Sequence, residues 1–224
     1  MTQQRARRLV DEARNAIVST EEQLLLHSYA GALEKKVIGK GKLSLVAVQQ
    51  NHLLGNSINA LELALARSSS PCAKEFLSAS LDKTRDAHDA LRIFGKAIGL
   101  SAEELDAMEP LSGAIAYSLY LYWLASKRTA SEIAAAFLVN MPLWGANCVR
   151  VGRALQANYG FKKEDVAFFE MFADPSPGFG EMALAAVEEG LEQGVDPVFI
   201  RRSVRLLQRY ELMFWDTMWE RSRS

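Results

Sequence analysis

Apolar residues recur at helical spacing along almost the whole chain, and no segment shows the alternation of a half-buried strand. Only six prolines interrupt the 224 residues. The sequence therefore predicts an all-α fold of long helices joined by short turns, which is typical of a helical bundle. The predicted helices span residues 4–18, 20–36, 44–67, 72–99, 110–127, 130–157, 162–172, 178–192 and 196–221.

Local signals indicate where these helices begin, bend and end. Thr129 and Glu132 have the spacing of a capping box at a helix start. Pro142 lies inside a helical pattern and predicts a kink, and a kink in a core helix can open space for a ligand. A run rich in proline at 174–178 predicts a turn. No linker or fixed-period repeat is visible, so we predict that residues 1–224 form a single domain.

Composition limits the class of protein. A hydrophobic content of 49% and a formal net charge of −1 exclude extended disorder. The most apolar stretch, 111–125, contains serines and tyrosines and is shorter than the roughly 20 apolar residues that cross a bilayer. The basic N-terminal segment is followed by no apolar stretch, and Cys72 and Cys148 are too few for a disulfide framework. We expect a cytoplasmic protein that does not bind membranes.

Metal ions and nucleic acids are both disfavoured as ligands. None of the three histidines has a glutamate three residues before it, so the Glu-x-x-His pairs of di-iron bundles are missing. Arginines recur on one face of the last helix, but the whole chain lacks the basic charge typical of nucleic-acid binding. We expect no bound metal, no cofactor and no nucleic-acid partner. The residues concerned are His27, His52 and His88, and Arg201, Arg205 and Arg209.

The last predicted helix carries a carboxylate in the middle of its apolar stripe. Glu211 shares a helix face with Leu207, Phe214 and Trp215. Burying a carboxylate is costly unless it has a partner. Two explanations are open: a structural bond to an arginine or tyrosine of a neighbouring helix, or a place in a partly apolar pocket. In such a pocket, desolvation would raise the pKa of Glu211 and suit it to proton transfer or to gripping an amidine-like edge.

Two further sets of polar and aromatic residues lie in apolar helices. Tyr117 and Tyr120 are one turn apart, and Asn140, Trp144 and Asn147 surround the internal proline. Tyrosines in such positions usually pack, and a buried asparagine must satisfy its amide, so Asn140 either caps the kink or faces a ligand. In a cavity, the same residues can stack on a flat heterocycle and bind it. Together these helices can enclose one aromatic-lined, mildly polar cavity.

Several segments resemble the TenA (thiaminase II) family. The run RYELMFWDTMW at 209–219 is similar to the family's C-terminal helix, where a catalytic glutamate precedes Phe-Trp as Glu211 does here. HSYAGALEKKVIGKGKLS is similar to the family's first helix, LSAEELDAMEPLSGAIAYSLYLYWLA to its tyrosine-bearing helix, and SEIAAAFLVNMPLW to the helix with its nucleophile. The resemblance implies a single haem-oxygenase-like helical bundle, a fold shared with PqqC oxidases and non-haem iron oxygenases.

The resemblance also implies a chemistry, from which this chain departs. Thiaminase II hydrolyses thiamin or an aminopyrimidine breakdown product with a cysteine nucleophile, an aspartate that grips the pyrimidine and a proton-carrying glutamate. Asn140 stands at the position of the cysteine, Gln50 at that of the aspartate and Phe172 at that of a pocket tyrosine. Since asparagine cannot attack as a thiolate does, the resemblance implies that Glu211 assists direct attack by water. Cys148, about two helical turns further on, would be the substitute for that cysteine only if the helix register differs.

We therefore expect a TenA-like protein that binds a small planar nitrogen heterocycle, such as a thiamin-related aminopyrimidine. The sequence leaves open whether the protein also hydrolyses this ligand. The expected catalytic residue is Glu211, and the expected substrate-binding residues are Gln50, Tyr117, Asn140, Trp144, Phe172 and Phe214. The alternatives are a PqqC-like or non-haem-iron oxidase on the same fold and a non-catalytic metabolite-binding protein. By analogy with such bundles we expect a homo-oligomer, either a dimer or a tetramer.

Overall fold

The computed structural model describes residues 3–173 and 177–224, and within these ranges every regular element is a helix. The all-α prediction is confirmed for this part of the chain. Two short 3-10 turns, Lys40–Lys42 and Glu164–Val166, accompany the α-helices. The α-helices are α1 (Gln4–Asn15), α2 (Val18–Leu25), α3 (Ser28–Glu34), α4 (Leu43–Arg67), α5 (Pro71–Ala97), α6 (Ala102–Ala107), α7 (Ser112–Lys127), α8 (Ala130–Tyr159), α9 (Ala167–Glu170), α10 (Phe179–Glu192) and α11 (Pro197–Arg223).

The prediction of one helix over 20–36 is wrong, because the chain breaks between α2 and α3. The ψ angle of His27 is 137°, which lies outside the helical range. Its Nδ1 accepts a hydrogen bond from the backbone N–H of Tyr29 at 3.2 Å. Its Nε2 donates to Oδ1 of Asp216 on α11 at 3.2 Å. His27 thus caps α3 and ties it to the last helix, while the apolar spacing on both sides of the break stays helical.

Two other segments differ from the prediction. Residues 162–172 do not form one helix but a 3-10 turn followed by the single-turn helix α9. The short helix α6 was not predicted, although Ser101 and Glu104 form a capping box at its start. Of the predicted turn at 174–178, residues 174–176 lie outside the described part of the chain. Gly178 precedes α10 with a φ of 77°, which glycine adopts at no steric cost.

Helix α8 continues through Pro142 without a break. Proline has no N–H, so it cannot bond to the carbonyl oxygen four residues earlier, that of Leu138. Arg14 of α1 donates its guanidinium N–H to this oxygen at 3.2 Å. At the start of the helix, Glu132 accepts from the backbone N–H of Thr129 at 2.9 Å, so the predicted capping box is confirmed. The freed carbonyl and the helix start both have partners, and these let one long helix cross the bundle.

Two apolar clusters fill the bundle, and both α8 and α11 contribute to each of them. One cluster contains Phe94, Trp144 and Trp215, and the other contains Phe76 and Leu207. Small and apolar residues of α8 are buried on most faces of this helix, which is typical of a helix in the interior of a bundle. Packed against α3, α10 and α11, α8 can present polar side chains to the interior of the bundle.

Polar side chains of α4 fix the position of α7. Gln49 accepts from the backbone N–H of Leu111 at 2.7 Å, and Asn56 donates to Oγ of Ser118 at 3.4 Å. Both pairs are separated by 62 residues in the sequence, so the two helices run in the same direction. His52 also donates to the carbonyl oxygen of Met108 at 2.7 Å, just before α7. These bonds hold the register at which α7 presents its tyrosines to the interior.

Because α8 and α10 cross closely at Gly190, we expect a methyl group added at this position to lower the stability of the protein. In Gly190→Ala, the new Cβ would lie 2.6 Å from Cβ of Ser131, so we expect the free energy of unfolding to fall by about 1–3 kcal/mol. Gly55→Ala is the matched control, because nothing lies within 4 Å of its added Cβ. We expect its stability to stay the same or to rise by up to about 1 kcal/mol. Urea denaturation measures both, and equal stabilities would contradict this crossing.

Candidate functional site

A cavity of about 520 Å³ lies between α4, α5, α7, α8 and α11. This volume falls within the range of about 300–1,000 Å³ that is typical of small-molecule sites. Residues 171–173 and the start of α10 also contribute to its wall. All seven side chains selected from the sequence line it: Gln50, Tyr117, Asn140, Trp144, Phe172, Glu211 and Phe214. The structure brings these residues together around one cavity.

Tyr120 and Asn147, which the sequence groups with the cavity residues, lie away from the cavity. Tyr120 packs its ring against Tyr210, with 5.0 Å between ring centroids, and stacks on Trp123 at 5.7 Å. Asn147 donates its amide to the backbone carbonyl oxygen of Leu24 at 3.0 Å. Neither residue lines the cavity: Tyr120 packs against other rings, and Asn147 bonds to the backbone.

Glu211 is buried on the cavity wall, and its partners are neutral. The residue is only 2% exposed. Oε1 accepts from the indole Nε1 of Trp215 at 3.1 Å, and Oε2 accepts from Nδ2 of Asn140. Among the described residues, no arginine, lysine or tyrosine bonds to this carboxylate. The ion pair that was one explanation for a buried Glu211 is therefore not the arrangement found here.

Asn140 connects Glu211 to two further helices. Its Oδ1 accepts from the hydroxyl of Tyr117 on α7 at 2.8 Å. Its Nδ2 donates both to Glu211 and to Oε1 of Gln208, the latter at 2.8 Å. Gln208 is fully buried and was missed in the sequence analysis, although it shares a helix face with Glu211 three residues later. Asn140 therefore uses both amide protons and its oxygen within the protein.

Burial dominates the acidity of the groups in this network. Desolvation raises the pKa of Glu211 to about 7, and the hydrogen bonds from Trp215 and Asn140 offset part of that rise. Burial also raises the pKa of Tyr117 well above its ordinary value, with a further contribution from the charge of Glu211. The tyrosine hydroxyl therefore keeps its proton and stays a donor to Asn140. Near neutral pH, the Glu211 carboxyl group can both accept and release a proton.

Aromatic rings pack tightly on one side of the cavity. Trp144 stacks on Trp215, with 5.2 Å between ring centroids and 27° between planes. Phe172 and Phe214 meet Trp144 edge-on, each at 6.0 Å. Gly145 next to Trp144 allows this, because a Cβ there would collide with the carbonyl oxygen of Phe172. The rings support one another and give the cavity an apolar, aromatic wall.

Cys148 lies apart from the cavity wall. The residue is fully buried and is not among those that line the cavity. Burial first, and then the nearby charge of Glu211, raise the pKa of the Cys148 thiol well above its ordinary value. A thiol in these surroundings stays protonated and is a poor nucleophile.

The opposite wall, formed by α4 and α5, holds polar side chains without partners. The residue Gln50 is almost fully buried, and its Nε2 has no hydrogen-bond partner among the described residues. The same holds for Oγ of Ser80. Lys83, one turn beyond Ser80, also lines the cavity and donates from Nζ to the carbonyl oxygen of Met171 at 3.0 Å. Ser80 and Lys83 were not picked from the sequence, because α5 reads as an ordinary amphipathic helix there.

The histidines have structural partners, and so does Arg201 of the arginine face. His27 caps α3 as described, and Nε2 of His88 donates to Oδ1 of Asn51 at 2.8 Å. Arg201 lies 3.8 Å from a carboxylate oxygen of Glu12. Within residues 3–173 and 177–224, no three His, Cys, Asp or Glu side chains are grouped closely enough to hold a metal ion. Over the same residues, no helix has the length and apolar character needed to cross a bilayer.

Solved structures with the same architecture identify the class of protein. A TenA homologue from P. horikoshii matches with a TM-score of 0.72 at 16% identity, over 95% of this chain and 98% of that chain. A TenA homolog from Pseudomonas syringae pv. tomato matches with a TM-score of 0.76 at 12% identity, over 94% and 92%. A domain of unknown function with a haem oxygenase-like fold from Shewanella denitrificans matches with a TM-score of 0.73 at 14% identity, over 95% and 93%. The protein is therefore a haem-oxygenase-like helical bundle, as predicted.

The sequence itself gives the family. The sequence model of the TENA/THI-4/PQQC family matches residues 14–221, which is nearly the whole chain. The protein belongs to this family, and the TenA resemblance is confirmed at that level. A comparison with curated proteins finds no match. Because one fold carries many functions, the ligand and the reaction must be argued from the site.

The raised pKa of Glu211 predicts an unusual dependence of stability on pH. The folded protein binds the Glu211 proton more tightly than the unfolded chain, whose carboxyl group titrates near 4.5. The free energy of unfolding should therefore be highest, relative to Glu211→Gln, below about pH 4.5 and fall as the pH rises towards 7. The slope of this difference is at most about 1.4 kcal/mol per pH unit, and the difference levels off above pH 7.

Urea denaturation between pH 4 and pH 8.5 measures this difference. Glutamine can accept from only one of the two donors, so Glu211→Gln also carries a cost that does not depend on pH. Glu220→Gln, at an exposed position of the same helix, controls for the loss of one negative charge. A Glu211→Gln difference that is constant across the pH range would show that Glu211 has an ordinary pKa.

Proposed function

We propose that this protein binds a small planar nitrogen heterocycle, such as a thiamin-related aminopyrimidine, and hydrolyses a C–N bond of such compounds without a cysteine nucleophile. The observation that carries the proposal is the Glu211 carboxylate, buried on the wall of an aromatic-lined cavity with a pKa of about 7. Membership of the TENA/THI-4/PQQC family supports the same direction.

Binding would use the two unlike walls of the cavity. Trp144 would offer the ring on which a heterocycle stacks, and Phe172 and Phe214, which meet Trp144 edge-on, would add apolar contacts. Gln50 contributes a buried amide with no partner for its Nε2 among the described residues. An amide can donate to a ring nitrogen and accept from an exocyclic amino group, which is the pattern that an aminopyrimidine edge presents. A neutral amide suits a neutral heterocycle, whereas a carboxylate at this position favours a protonated one.

Hydrolysis would use Glu211 as the proton carrier. The ionised carboxylate accepts a proton from a water molecule, whose oxygen forms a bond to the carbon that bears the leaving amine. The C–N bond breaks with its electron pair remaining on nitrogen, and Glu211 returns the proton to that nitrogen. A pKa near the working pH suits a group that must both take and give a proton. Asn140 and Trp215 would act as positioning residues, because their N–H groups hold the carboxylate in place.

Calorimetric titration with 4-amino-5-hydroxymethyl-2-methylpyrimidine tests the binding site. We expect the wild type to bind and Glu211→Gln and Gln50→Leu each to bind at least about tenfold more weakly, because each loses a buried polar partner of the ligand. Cys148→Ala is the matched control inside the core, and we expect it to bind as the wild type does. Hydrolysis of amino- and formylamino-pyrimidines, followed by chromatography, should be lost in Glu211→Gln and kept in Cys148→Ala.

The possible outcomes separate the alternatives. Binding without turnover in the wild type would leave a non-catalytic metabolite-binding protein. Loss of turnover in Cys148→Ala, with its fold intact, would contradict the cysteine-independent reaction. No heat from the wild type would exclude the aminopyrimidine as ligand of this cavity.

We also propose that the protein forms a homo-oligomer through the outer face of α7. Leu119 is 53% exposed, and Tyr122 and Trp123 next to it are also exposed. Met213 of α11 is another exposed apolar residue on the helix that packs beside α7. Exposed aromatic and aliphatic side chains that are grouped in this way favour a contact with a second copy of the chain.

Leu119→Asp should disrupt this contact. We expect the wild type to run as a dimer or tetramer and the variant to dissociate, because the aspartate would be buried without a partner. Size-exclusion chromatography with light scattering gives the mass, and circular dichroism checks the fold. Leu26→Asp is the matched control, since Leu26 is 81% exposed in the break between α2 and α3. A monomeric wild type, or equal masses for both variants and the wild type, would contradict the proposal.

Two broader predictions stay as proposals. The single-domain assignment for residues 1–224 is supported by the sharing of α8 and α11 between both apolar clusters. The cytoplasmic location is supported by the sequence argument alone.

A further inference from the structure

The cavity extends beyond the space that a single heterocyclic ring fills. Its wall on α4 runs from Gln50 to Ser57, which are seven residues, or about 10 Å, apart along the helix axis. Its volume of about 520 Å³ lies within the range for drug-sized ligands. A ring stacked on Trp144 and bound by Gln50 therefore leaves space along α5, where Ser80 and Lys83 lie.

Unlike Ser57 and Thr84, Ser80 does not donate its hydroxyl to a carbonyl oxygen of its own helix. Oγ of Ser57 donates to the carbonyl oxygen of Leu53 at 2.8 Å, and Oγ1 of Thr84 donates to that of Ser80 at 2.7 Å. Oγ of Ser80 has no partner among the described residues, although the residue is only 5% exposed. A buried hydroxyl without a partner costs free energy unless a ligand or water supplies one.

Lys83 provides the positive charge. It lies three residues after Ser80, so both side chains share one face of α5. Among the described residues that line the cavity, Lys83 and Glu211 are the charged ones. One N–H of the Lys83 ammonium group donates to Met171, and an ammonium group has three. Because both side chains share one face of α5 and line the cavity, the remaining Lys83 donors and the Ser80 hydroxyl can together donate to the two oxygens of a carboxylate.

We propose that the natural ligand carries a carboxylate arm, bound by Nζ of Lys83 and Oγ of Ser80, in addition to the ring that stacks on Trp144. This inference rests on the proposed function for the ring and adds a second subsite to it. A carboxylate is favoured over a phosphate because one lysine neutralises one negative charge. The second charge of a phosphate would stay uncompensated on a largely apolar wall.

Paired probes test the arm separately from the ring. The first pair is an aminopyrimidine with a carboxypropyl arm and its primary amide, and the second is 4-phenylbutyrate and 4-phenylbutyramide. Calorimetry should show each acid binding about tenfold or more tightly than its amide to the wild type. Lys83→Met should abolish this preference and Ser80→Ala should reduce it. Lys74→Met, at an exposed position of the same helix, should keep it.

The outcomes distinguish this inference from the proposed function. Equal affinities of acid and amide in both pairs would overturn the proposed carboxylate subsite. If the neutral aminopyrimidine still binds, the proposed heterocycle site would stand. An acid preference in the phenyl pair alone, lost in Lys83→Met, would support the arm and count against the heterocycle. A phosphonate analogue that binds more tightly than the carboxylate would overturn the choice of carboxylate. No heat from any probe would overturn both proposals.

Discussion

The site depends on one buried carboxylate, that of Glu211, which has no cationic partner within residues 3–173 and 177–224. Moving Glu211 out of water carries a large cost, and two neutral N–H donors, from Trp215 and Asn140, offset part of it. Asn140 can donate to Glu211 only because Tyr117 and Gln208 fix the orientation of its amide. The arrangement of α7, α8 and α11 at this level of the bundle is therefore coupled to the protonation of a single group. A salt bridge in the same place would have held Glu211 ionised, whereas neutral donors leave its pKa near 7.

The long helix α8 makes this network possible. It carries Asn140 and Trp144 through the centre of the bundle, and it does so across Pro142. The carbonyl oxygen that the proline leaves without its helical partner accepts from Arg14, so the first helix of the chain stabilises the segment that carries the site. Residues that are far apart in sequence and lie outside the cavity thus contribute to its shape.

Much of this arrangement follows from the sequence, and the exceptions have physical reasons. Helical periodicity locates the long helices, and the position of Glu211 in an apolar stripe marks it as unusual before any coordinates are known. The break at His27 is not visible, because a side-chain cap interrupts the backbone without changing the apolar spacing. The sequence also does not mark Ser80 and Lys83 as site residues. Whether a side chain has a hydrogen-bond partner depends on its neighbours in three dimensions, and the pattern of one helix does not contain that information. Gln208 has the right spacing, but a glutamine near a glutamate carries no signal alone.

The amide of Asn140 has a consequence for the whole site. Asn140 stands where the family resemblance places a cysteine, and its N–H now donates to the carboxylate that would transfer protons. Replacing it by a thiol would remove a donor from Glu211, which raises the pKa of that carboxyl group further above 7. It would also leave Tyr117 and Gln208 without their buried partner. The amide and the buried carboxylate therefore form one hydrogen-bonded unit, and the orientation of Asn140 and the pKa of Glu211 depend on each other.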